Sequence, residues 1–154
     1  MLKLITFFSG ISFLFLTRTV LADEIMTLPM GLLVEGIEPY AENCEPKPEL
    51  EHIKEIILNK EDAQYTTKCL RRCLMDQFKL FKDDGREVKT EKIVGFMLLL
   101  YPDKIEELNY ISDGCNKQNL EMGLEEKCEI AHSYGMCMLK EMQSRDFEIP
   151  EIEQ

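Results

Sequence analysis

Six cysteines, Cys44, Cys69, Cys73, Cys115, Cys128 and Cys137, constrain this chain of 154 residues more than any other feature. Bridges, metal ligands and free thiols impose different folds, and the compartment decides between them. The N-terminus speaks to the compartment. Lys3 supplies a short positive region, and Leu4 to Leu16 is an apolar run with four Phe. Val20-Leu21-Ala22 then offers a cleavage site, so residues 1–22 read as a secretory signal peptide. The apolar run is shorter than the roughly 20 residues a membrane span needs. No later segment is long and apolar enough to span. The expected mature domain is 23–154, secreted and extracellular. Losing Lys3 and Arg18 takes its net charge from −11 to −13.

An even cysteine count in a small secreted domain implies a disulfide framework. Cys69-x3-Cys73 has zinc-like spacing, but neither of the two His stands at a matching ligand spacing, so no metal site is expected. The excess of acid argues against a nucleic-acid partner and against an anionic membrane surface.

Periodicity indicates an all-α fold of five to six short helices. Pro48 opens Glu49–Asn59, and Asp62 precedes a longer helix to Phe81. Thr90 precedes a helix to Tyr101, stopped by Pro102. Its run Ile93 to Leu100 is apolar on every side, which predicts a buried helix. Asp103–Lys117 and Glu125–Ser144 follow, parted by a loop around Gly123. The segment 23–47 is broken by Pro29, Gly31, Gly36 and Pro39 and supports only a weak helix. No alternating β pattern is visible.

Helix geometry narrows the pairings without fixing them. Cys69 and Cys73, four apart, hold their Cβ atoms roughly 5–6 Å from each other, beyond the roughly 3.5–4.5 Å of a disulfide. Cys128 and Cys137 project from opposite sides of one helix. Excluding both pairs leaves ten of the fifteen connectivities.

The order Cys44-x24-Cys69-x3-Cys73-x41-Cys115-x12-Cys128-x8-Cys137 resembles the insect odorant-binding proteins, the pheromone and general odorant-binding family. Asn43-Cys44-Glu45-Pro46, the stretch Lys68 to Met75, the Asp84-Gly85 turn and Phe147-Glu148-Ile149-Pro150 are similar too. The likeness covers about residues 40–150; the broken segment before Cys44 departs from the family's usual first helix. The resemblance implies the interlocked pairing Cys44–Cys73, Cys69–Cys128 and Cys115–Cys137. It also implies six helices around an internal apolar cavity that carries a small hydrophobic ligand (an odorant, a pheromone or similar). A membrane chemoreceptor is a further partner on the same ground, and no cofactor is implied. The composition agrees less sharply. A mature chain of this length buries an adequate core unaided, so three bridges suggest that something inside, such as a cavity, costs stability.

For the cavity wall the candidates are Phe96, Met97, Leu98, Leu100 and Tyr101 on the apolar helix. Met136, Met138 and Met142 on the last helix join them. Tyr101, Tyr110 and Tyr134 each offer a hydroxyl, to a ligand or to a backbone carbonyl. Phe147 and Ile149, on one side of an extended tail, are expected to close over the pocket. Lys68, Arg71 and Arg72 read as a solvent face. His52 and His132 should be charged near pH 5, which would allow acid-triggered release. Catalysis is not expected: the mature chain has no G-x-S-x-G or H-E-x-x-H, and the adjacent His132 and Ser133 diverge on a helix. The alternative is a secreted helical signalling or interaction protein working through its outer surface.

Overall fold

The computed structural model describes residues 27–153; the proposed signal peptide lies outside them. Six helices run in order: α1 (Met30–Ala41), α2 (Leu50–Ile57), α3 (Tyr65–Gln77), α4 (Thr90–Met97), α5 (Ile105–Met122) and α6 (Lys127–Gln143). Two short strands, β1 (Thr27–Pro29) and β2 (Glu151–Glu153), pair in parallel and bring the two ends of the described chain together. No helix among the described residues is long and apolar enough to cross a membrane.

The segment before Cys44 does form a regular helix. Val34, Ile37 and Ala41 recur at helical spacing and face a small core with Cys44, Ile53 and Leu70. Pro39 stands in the last turn, where little helix follows it to be disrupted. Packing on one stripe thus overrides three breakers, Gly31, Gly36 and Pro39. β2 likewise corrects the expectation of no strand: its backbone groups pair with β1, a partner that local alternation does not reveal.

A larger core lies between α4, α5 and α6, with Val94, Leu108, Ile111, Ala131 and Tyr134 at its centre. Buried polar side chains tie the elements around it. Asn116 pairs with both backbone groups of Val88, each at 2.8 Å, and Asn119 Nδ2 donates to the Ile130 carbonyl at 3.0 Å. Gly123, at φ 64°, ends α5 in the left-handed conformation and lets the chain turn into α6.

The bridges are Cys44–Cys73, Cys69–Cys128 and Cys115–Cys137, the pairing the resemblance implies. They join the loop after α1 to α3, α3 to α6, and α5 to α6. No described cysteine is free.

The apolar helix departs from expectation. α4 ends at Met97 rather than Tyr101, and Val94 is its one buried residue. Two turns packed on α5 cover only one side, so Phe96 and Leu100 are exposed and Leu99 is 81% exposed. Phe96 meets Phe78 edge-on, and Phe78 meets Tyr40, at centroid distances of 5.6 and 5.4 Å. Thr90 does not cap α4; its hydroxyl donates to Asp113 across on α5.

Candidate functional site

Between the two cores lies a cavity of about 390 Å³. Ile56 comes from the end of α2; Arg71, Leu74 and Met75 from α3; Ile93 and Met97 from α4. Leu100 and Tyr101 follow α4, and Tyr134, Gly135, Met138, Leu139 and Met142 form the α6 wall. Ile149 and Pro150 of the tail complete it with Asn59. The wall is mainly aliphatic and thioether, which favours apolar contents and tolerates different shapes.

The expected wall residues separate into two groups. Met97, Leu100, Tyr101, Met138 and Ile149 lie in the wall. Phe96 and Leu98 do not. Phe96 is turned one helical step away from Met97, toward Phe78, and Leu98 packs against the larger core. Phe147 is buried in that core beside the cavity, its ring edge-on to Tyr101 at 5.1 Å, so its place is behind Ile149 rather than in the wall. Met142 lines the cavity, whereas Met136 lines a separate, more polar hollow with His132 and Ser133.

Polar groups at the wall are few. Tyr101 donates to the Glu148 carbonyl at 2.8 Å, which ties the tail to the end of α4. Burial pushes its hydroxyl's pKa up, with the Glu148 charge adding to the effect. Tyr134 and Ser112 are hydrogen-bonded at 2.7 Å, and Ser112 in turn donates to Thr90. Since Ser112 has one proton, Tyr134 donates to it. Burial raises the Tyr134 pKa as well. Tyr110 is exposed under Arg145 and takes no part. Both wall tyrosines therefore have their protons engaged within the protein.

The basic trio is corrected. Lys68 pairs with Glu129 at 2.9 Å. Arg72 is buried, donating to Asp76 and to the Gly85 carbonyl, each at 2.7 Å, and stacked over Phe81. Arg71 points its guanidinium into the cavity wall. One signal in the sequence leads there: Arg71, Leu74 and Met75 stand at i, i+3 and i+4 and share one helix face. Gly135, Met138, Leu139 and Met142 obey the same rule on α6. A basic residue at such a position looks like surface until the opposing wall is known.

Both histidines are buried, not exposed. His52 Nδ1 accepts from the Glu49 backbone N–H at 2.8 Å and helps cap α2. His132 Nε2 donates to the Glu61 carbonyl at 2.9 Å, which leaves Nδ1 buried and without a partner. Burial, mainly, holds the His132 pKa below the ordinary histidine value, with Arg71 and Lys68 pushing the same way. Charging near pH 5 is correspondingly opposed.

A family model, that of the PBP/GOBP family, matches residues 32–141. The chain belongs to the PBP/GOBP family. The match spans α1 to α6 with all six cysteines. A solved structure similar to it is the odorant-binding protein dmelOBP28a from Drosophila melanogaster, with a TM-score of 0.51 at 21% identity. That likeness covers 75% of this chain and 90% of the other and is one of fold. No curated protein matches. No group of three or more His, Cys, Asp or Glu among the described residues is placed to hold a metal ion.

Proposed function

We propose that this PBP/GOBP-family chain is a secreted carrier, not an enzyme. Residues 1–22 act as its signal peptide and 23–154 as the carrier domain. It takes a small hydrophobic ligand (an odorant, a pheromone or a similar molecule) into the cavity between its cores and releases it near a membrane chemoreceptor. The observation that carries this reading is the wall itself. About 390 Å³ is bounded largely by Met, Leu, Ile and Tyr side chains contributed by α2, α3, α4, α6 and the tail. Burial of a ligand's apolar surface there is worth roughly 25 cal/mol per Å².

The tail is part of the proposal. Ile149 and Pro150 form wall, and Phe147 and the Tyr101–Glu148 hydrogen bond anchor them. Ligand exit then needs this segment to loosen. A second reading, interaction through the outer surface, draws on the exposed Tyr40, Phe78, Phe96 and Leu99. Titration with N-phenyl-1-naphthylamine, a neutral apolar fluorophore, tests between them. The carrier reading expects saturable binding at one probe per chain, displaced by volatile or lipid-like compounds. Linear, non-saturating fluorescence would favour the outer-surface reading.

A further inference from the structure

Arg71 is the anomaly of the cavity. It sits on α3 with its side chain in an otherwise apolar wall. Its Nε is buried and has no hydrogen-bond partner. The one hydrogen bond it makes among the described residues runs from Nη2 to Asn59 Oδ1, at a long 3.4 Å. Guanidinium carries five N–H donors, so most of its capacity is unused. No described carboxylate lies within ion-pair distance of it, although the sequence has 29 Asp and Glu. Burial lowers its pKa to about 10, which still leaves it a cation at neutral pH.

The opposite wall makes room for this cation. A Cβ built on Gly135 of α6 would overlap Arg71 Nη1 and stand 3.1 Å from its Cζ. The missing side chain at Gly135 leaves the space that the Arg71 guanidinium fills between α3 and α6. Arg71 is half-buried with its Nε fully covered, and an unpaired charge held against an apolar wall is costly. A neutral water at the site would fill hydrogen bonds but leave the charge. The overall negative charge of the chain does not settle the matter, because it is screened within about 8 Å at physiological salt.

We infer that the ligand of this cavity is an amphipathic acid: an apolar chain ending in a carboxylate, which pairs with the Arg71 fork. A carboxylate presents two oxygens to two parallel N–H groups, the geometry for which guanidinium is built. The apolar chain then runs along Leu74, Met97, Met138 and Met142. This deepens the carrier reading above and rests on it.

The test compares dodecanoic acid, methyl dodecanoate and dodecanol at pH 7.5, each displacing the neutral naphthylamine probe from the full mature protein. All three share a chain length, and the alcohol can hydrogen-bond but carries no charge. The acid is expected to bind about tenfold or more tighter than the other two, the range of a charge-assisted contact. R71M should remove that preference and leave ester affinity in place or improved. G135A, which pushes a methyl into the guanidinium's space, should reduce it too. Equal affinity for acid and ester in the unmutated protein overturns the inference without need of a variant. So does an undiminished acid preference in a folded R71M. Absence of saturable binding for the probe itself would instead overturn the carrier reading, and this inference with it.

Discussion

Glu55 shows how a single buried carboxylate is held charged. It accepts from the Thr67 hydroxyl, from the Gln64 backbone N–H at 3.0 Å and from Lys60 at 3.0 Å. The Thr67 bond, more than any other, lowers its pKa to about 2. A depressed carboxylate pKa contributes stability that is present above the ordinary value and lost as pH falls toward about 2. Thr67 is fully buried. T67V should therefore raise the Glu55 pKa, read by carboxyl NMR titration, and cost about 1–2 kcal/mol at neutral pH in denaturant unfolding. An unmoved titration would contradict this account of the bond. His132 works in the opposite sense. Its folded pKa lies below the unfolded one, so the stability its neutral form contributes is present above the ordinary histidine value and is lost as pH drops below it. Its ring-proton NMR signals should shift only below the usual histidine range. A normal titration would show that burial does not govern it. Neither histidine's burial was legible in the sequence, because each depends on a neighbour distant along the chain or on a local cap rather than on composition.

Among the elements, α5 and α6 follow their hydrophobic spacing closely, whereas α1, α4 and the tail do not. α1 forms despite Pro39 because Val34 and Ile37 find the α2–α3 surface, a contact absent from local propensity. α4 looked wholly buried because its sequence is apolar all round, yet a helix of two turns lying on one neighbour has one covered side. The tail divides where its sequence shows one extended apolar side: Ile149 reaches the cavity, Phe147 the core, and residues 151–153 pair with 27–29. The cavity wall was half legible for a related reason. Met97, Leu100, Tyr101, Met138 and Ile149 reveal themselves by apolar character, while Arg71 and Gly135 matter through each other across two helices. Truncation after Ser144 tests the tail. It removes Phe147, Ile149 and β2, and stopped-flow dissociation of the bound naphthylamine probe should become several-fold faster while helical circular dichroism persists. Equal dissociation rates would show that the tail does not hold the ligand in.

At the scale of the whole molecule, the bridges and the cavity offset each other. The three disulfides close sequence separations of 29, 59 and 22 residues. In the chain-entropy account each then stabilises by about 3–4 kcal/mol. The cysteine order made this frame legible through its family likeness, whereas helix geometry alone left ten pairings open. Replacing Cys69 and Cys128 together by Ser should lower stability by about 4 kcal/mol, the longest loop costing most, in reversible denaturant unfolding. An effect smaller than that of replacing Cys115 and Cys137 would contradict the loop-length account. The central claim is that the space between the two cores is where ligand sits. It is tested most directly by NMR of the protein labelled at the methionine methyl groups, with and without dodecanoic acid. Met75, Met97, Met138 and Met142 line the cavity, whereas Met122 and Met136 line the separate polar hollow. The account predicts that saturating ligand shifts the first four signals and gives ligand–methyl Overhauser contacts to them, with Met122 and Met136 unchanged. Contacts confined to Met122 and Met136, or to none of the six, would contradict it.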